Sequence, residues 1–105
     1  IWIKLFSSVA EGEAKLPLHQ PQLALVNGQR ICLVRTSERW LAMSDRCPHN
    51  GESLSKGKLN YRGEIICPWH GYCFDVVTGR EYLERSRDLE TFPMDVREDG
   101  IFIGL

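Results

Sequence analysis

Two short stretches each carry one thiol and one imidazole: Cys47-Pro48-His49 and Cys67-Pro68-Trp69-His70. The first is C-x-H and the second C-x-x-H, with 17 residues between His49 and Cys67. That is enough chain for a pair of turns and short strands to bring the loops back together. Glycine follows closely in both, at Gly51 and Gly71, where it lets backbone N–H groups turn inward on a bulky anion. Two thiols and two imidazoles admit three chemistries. A centre of two irons and two sulfides takes cysteine on one iron and histidine on the other. A tetrahedral zinc ion takes the same four donors. A Cys47–Cys67 disulfide beside two incidental histidines is the third. Zinc sites commonly open with C-x2-C and close with H-x3-H, keeping like ligands together. Here each loop mixes them, which suits two irons that each draw on both loops. The iron–sulfur reading is favoured.

The pattern extends around the loops. It runs Ser44-Asp45-Arg46-Cys47-Pro48-His49-Asn50-Gly51, then Cys67-Pro68-Trp69-His70-Gly71-Tyr72-Cys73-Phe74-Asp75, with Thr78-Gly79 after it. This run resembles the Rieske iron–sulfur proteins, specifically the small soluble Rieske-type ferredoxins. A weaker similarity continues through Phe92-Pro93-Met94 and Asp99-Gly100-Ile101, so the resemblance covers essentially the whole chain. It implies one 2Fe–2S cluster, with Cys47 and Cys67 as buried thiolates on one iron. His49 and His70 are then neutral imidazoles on the other, their second ring nitrogens towards solvent. Neutral ligands lower the negative charge at such a cluster, so its potential lies at about −150 to +300 mV against about −400 mV for all-cysteine plant-type clusters.

The departures from the family place the chain within that range. High-potential respiratory members carry an extra cysteine in each loop, joined by a disulfide, and the matching positions here are Glu52 and Trp69. They also set serine and tyrosine hydroxyls near the cluster, where this chain has Tyr72 and Phe74. Fewer donors to the sulfurs stabilise the reduced state less. The expected potential is therefore low in the Rieske range. Trp69, flanked by two ligands, is expected to cap the cluster and, with Pro48 and Pro68, to make an apolar tip for a redox partner. Cys32 and Cys73 read as small packing residues, and His19 as a surface residue.

Composition narrows the function further. The chain has 105 residues, which is room for one domain, 1–105, and not for two. Its 13 basic and 14 acidic residues form no basic stripe, so nucleic-acid binding has nothing to rest on. No apolar run approaches the ~20 residues of a membrane span. Four cysteines, two of them expected ligands, do not read as a secreted disulfide framework, and a cytoplasmic protein is expected. A Rieske oxygenase needs a second iron held by two histidines and a carboxylate. With three histidines in all, only His19 is left over. The expectation is an electron carrier and not an enzyme. Resemblance implies a reductase as donor and an oxygenase or other terminal reductase as acceptor. Two alternatives stay open: the Rieske-like small subunit of an NAD(P)H nitrite reductase, and a structural zinc or metal-free interaction module.

The elements that must position the loops read as many short strands. Strands are expected at Ile1–Phe6, Leu23–Val26, Arg30–Arg35, Trp40–Met43, Lys58–Tyr61, Glu64–Ile66 and Phe74–Val77, with a C-terminal hairpin over Phe92–Ile103. Asn27-Gly28 is the strongest hairpin signal. Ser7-Ser8 caps one turn that Gly12 is expected to end, and Ala14–Gln22 reads as an edge strand or loop because of Pro17 and Pro21. Ser53–Lys58 reads as polar loop. Residues 80–91 carry many charges, little period and no proline, where many family members have a proline-containing loop over the cluster. This spacing of turns argues for an all-β sandwich or barrel. The resemblance implies small antiparallel sheets with the two ligand loops as a tip.

Overall fold

The computed structural model describes residues 1–105. Its strands are β1 (Trp2–Phe6), β2 (Gln22–Val26), β3 (Gln29–Arg35), β4 (Trp40–Ser44), β5 (Lys58–Leu59), β6 (Glu64–Ile66), β7 (Cys73–Asp75), β8 (Thr91–Phe92), β9 (Met94–Arg97) and β10 (Gly100–Gly104). They form three small antiparallel sheets, in the orders β1-β10-β9, β2-β3-β4-β8 and β5-β6-β7. The all-β architecture expected from the sequence is the one found.

The four-stranded sheet has an apolar cluster on each face, and β3 shows why. Successive strand residues point to opposite faces, and Ile31 to Val34 are all buried. Ile31 and Leu33 join Phe6, Leu16, Val26, Ile101 and Ile103 on one side. Cys32 and Val34 join Met43, Leu54, Ile65, Phe74 and the two loop cysteines Cys47 and Cys67 on the other. The second cluster therefore reaches from the central sheet to the floor of both ligand loops.

Local chemistry sets the turns. Asn27 and Gly28 both take positive φ, 49° and 80°, as a two-residue hairpin of this twist requires. Ser8 caps the helix α1 (Val9–Lys15), its hydroxyl accepting from the Glu11 N–H at 3.1 Å. The helix does not stop at Gly12 as expected. It continues for most of another turn, and Gly12 is buried where a β-carbon would lie 2.9 Å from both Ile101 and Trp40. Glycine in a helix costs about 1 kcal/mol against alanine, and here it lets the helix lie directly on β10. The stretch expected as edge strand or loop from Ala14 thus begins as helix, and only Leu18 makes an isolated bridge, to Arg35. A second correction concerns Ser53–Lys58. It holds a 3-10 turn, Leu54–Lys56, that drives Leu54 fully into the second cluster.

Candidate metal centre

The two ligand loops leave the ends of β4 and β6 and share one backbone plan. The Cys47 N–H donates to the Glu52 carbonyl at 2.9 Å, and the Cys67 N–H to the Tyr72 carbonyl at 2.8 Å. Gly51 (φ 78°) and Gly71 (φ 69°) make the sharp bend before each of these acceptors. Positive φ is what requires glycine here, since nothing lies within 4 Å of a built β-carbon at either. The Gly51 N–H donates to the Cys47 carbonyl at 2.7 Å and closes the turn. His70 is itself at φ 74°, so the second loop takes two successive left-handed residues.

This plan sorts the four candidate donors by depth. Cys47 and Cys67 are 2% and 1% exposed at the floor. His49 and His70 are exposed at the rim, their ring centres 5.4 Å apart. Burial pushes the Cys67 thiol up to about 11; the Trp69 backbone opposes this and the adjoining Cys47 thiol adds to it. Metal binding at Cys67 therefore displaces its proton. No three His, Cys, Asp or Glu side chains close around one point as the ligands of a single ion would. Paired thiols below and paired imidazoles above fit a two-iron group better than one tetrahedral zinc. All four cysteines are free thiols, so the Cys47–Cys67 disulfide is not formed.

A sequence profile of the Rieske 2Fe-2S domain matches residues 7–93. The chain belongs to the Rieske 2Fe-2S family. A Rieske domain carries one 2Fe–2S cluster, and the buried thiols and exposed imidazoles of this chain are a donor set of the right chemistry for it. Among relatives, the Rieske chain is 33% identical over 100 residues to the 3-phenylpropionate/cinnamic acid dioxygenase ferredoxin subunit of Escherichia coli K12, covering 94% of this chain and 87% of that protein. It is 42% identical over 64 residues to apoptosis-inducing factor 3 of Mus musculus, which covers 61% of this chain and only 9% of that protein. The ferredoxin of carbazole 1,9a-dioxygenase from Nocardioides aromaticivorans IC177 shares the fold, with a TM-score of 0.83, 24% identity and coverage of 98% and 96%.

Several site features were not legible in the sequence. Asp45 is fully buried beneath the first loop. Arg30 Nη2 donates to its Oδ2 at 3.2 Å, the Ser53 hydroxyl donates to the same oxygen, and the Ser55 N–H donates to Oδ1 at 2.7 Å. A carboxylate two residues before a candidate ligand cysteine, at the end of an apolar strand, was the available signal. Tyr72 lies flat on His49, ring centres 3.9 Å apart and planes at 11°. Trp69 is 58% exposed and stands edge-on to His70 at 5.5 Å. Phe74 is fully buried, as a residue without a hydroxyl can be at no polar cost. Cys32 is buried and its thiol pushed up to about 12 by burial and the nearby Asp45 charge, so it stays a neutral packing group. Cys73 is half-buried, its thiol 3.4 Å from the Gly71 carbonyl, and His19 is exposed.

Proposed function

We propose that this Rieske chain, as a single domain over residues 1–105, is a one-electron carrier between a reductase and a terminal oxygenase or other terminal reductase. Cys47 and Cys67 are proposed to hold the inner iron and His49 and His70 the outer. The observation that carries this reading is the depth sorting of the four donors, thiols on the floor and imidazoles at the surface. When bound, the cluster supplies a centre that accepts and returns one electron. The protein's part is to exclude water from the sulfur side with the apolar cluster of Met43, Leu54, Ile65 and Phe74. It also presents the nitrogen side to a partner. Exposed Pro68 and Trp69 beside His70 give that partner an apolar contact next to the point of electron exit. The E. coli relative's name as a dioxygenase ferredoxin subunit supports an oxygenase as acceptor.

No helix is long and apolar enough to cross a membrane. Cys32 and Cys73, which the proposed centre does not use, form no disulfide, which supports a reducing compartment, and we place the protein in the cytoplasm. The deciding experiment is iron and acid-labile sulfide analysis with EPR of the reduced protein, on wild type and on His49→Ala and Cys67→Ala. Two irons and two sulfides per chain in wild type, lost in both variants, is the expected result. Zinc without sulfide in wild type would end the electron-transfer reading.

A further inference from the structure

Residues 80–91, which the sequence left without a role, build a device over one of the proposed ligands. The Asp75 N–H donates to the Arg80 carbonyl and the Tyr82 N–H to the Cys73 carbonyl, both at 2.9 Å, so the segment starts as an extension of β7's edge. Phe74 bridges Glu81 in the same ladder. Glu81 is 1% exposed, yet its carboxylate is fully engaged. Arg85 donates to it three times: Nη2 to Oε2 at 2.8 Å, Nε to Oε1 at 3.1 Å, and its backbone N–H to Oε1 at 2.8 Å. A bidentate pair of this kind fixes the plane of the guanidinium.

That plane lies on Tyr72. The Arg85 guanidinium carbon is 3.8 Å from the Tyr72 ring centre, and His49 is 3.9 Å from the same centre. Two groups so close to one ring centre cannot share a face, so Tyr72 is sandwiched between the cation and the imidazole. Glu81, Arg85, Tyr72 and His49 thus form one continuous stack running from a buried carboxylate to the rim of the metal site.

We propose that Arg85, clamped by Glu81, is a positioning residue that holds Tyr72 against His49 and keeps a fixed positive charge beside the imidazole side of the centre. The inference rests on His49 being a ligand, as in the proposed function. The pair with Glu81 is neutral overall, but its cationic end is the one stacked on Tyr72 towards His49, so it attracts the added electron and raises the potential of the loaded protein relative to the same protein without Arg85. Lysine would keep the charge but not the stacked plane or the bidentate grip.

Midpoint potentials of loaded wild type, Arg85→Met, Arg85→Lys and Arg80→Met test this. Arg80 is in the same segment but ends at exposed Glu84, 3.8 Å away, and does not reach Tyr72. Arg85→Met is expected to lower electron affinity roughly three- to tenfold, tenfold being about 59 mV for one electron. Arg85→Lys should recover most of that loss, and Arg80→Met should change it less than twofold. The EPR line shape of Arg85→Lys should still differ from wild type, because the stack on His49 is loosened. An unchanged potential in Arg85→Met, or an equal fall in Arg80→Met, would overturn the proposal. Absence of iron and sulfide from wild type would instead strike the ligand assignment itself.

Discussion

In both ligand loops the cysteine N–H reaches the carbonyl five residues on, and a glycine at positive φ stands just before that acceptor. The loops differ in what holds them. The first is tied from below, where the buried Asp45 carboxylate gathers Arg30 from β3 and both the Ser53 hydroxyl and the Ser55 N–H from the turn that follows the loop. The second has no such carboxylate among its own residues. It is covered from outside, by the Arg85–Tyr72 stack on one flank and by the Trp69 edge against His70 on the other. The lesson is that one backbone frame can be rigidified by buried polar bonds or by surface stacking. Buried polar bonds are costly to break because each partner left behind loses its hydration as well as its bond. Surface stacking leaves ring and guanidinium edges in water and contributes less to stability, and here the guanidinium is itself gripped by the buried Glu81 carboxylate.

The sharpest way to break this contrast is to remove the carboxylate. Asp45→Ala should lower unfolding free energy by about 3 kcal/mol, since it leaves buried Ser53 and the Ser55 N–H without their acceptor. Urea unfolding would measure it, and Asp45→Asn, which keeps one acceptor, should lose less. Next comes the carboxylate that serves the other loop indirectly. Hydrogen bonds from Arg85 hold the Glu81 carboxyl down to about 2 from an ordinary 4.5. A depressed carboxyl stabilises the fold above its unfolded value, and that contribution is lost as pH falls through 4.5 towards 2. Thermal melts of wild type and Glu81→Gln should therefore converge as pH is lowered from about 6 to about 3.

A smaller effect tests the shared frame itself. Gly51→Ala and Gly71→Ala each place a side chain in the left-handed region with open space around it, and each should cost about 1 kcal/mol. Near-equal losses would confirm that the two bends are equivalent, whereas a loss at only one would show that the loops differ in frame as well as in support. Smallest of all, Trp69→Ala should change stability by no more than about 0.5 kcal/mol, because its side chain projects into solvent. The same variant should slow electron transfer to the redox partner proposed above in stopped-flow mixing. A large stability loss there would mean that the tip is structural.

What could be read from the amino-acid order alone was whatever acts within a few residues. The mixed thiol and imidazole loops, the Asn27-Gly28 hairpin and the β-branched strands belong to that class, because ligand type, positive φ and period-2 burial are local properties. The end of the helix was misread for the opposite reason. Gly12 looks like a stop signal until Ile101 and Trp40, distant in sequence, are seen to occupy the space of its missing side chain. Asp45 and Glu81 likewise look like ordinary surface carboxylates until packing removes their water and leaves arginine, backbone N–H groups and, at Asp45, the Ser53 hydroxyl to replace it. The Tyr72 sandwich required three segments, carrying His49, Tyr72 and Arg85, to meet. The chain order therefore specified which atoms could hold a metal, and tertiary packing decided how deep each donor sits and which charges stand beside it. Burial and electrostatics depend on neighbours that no short stretch of sequence contains.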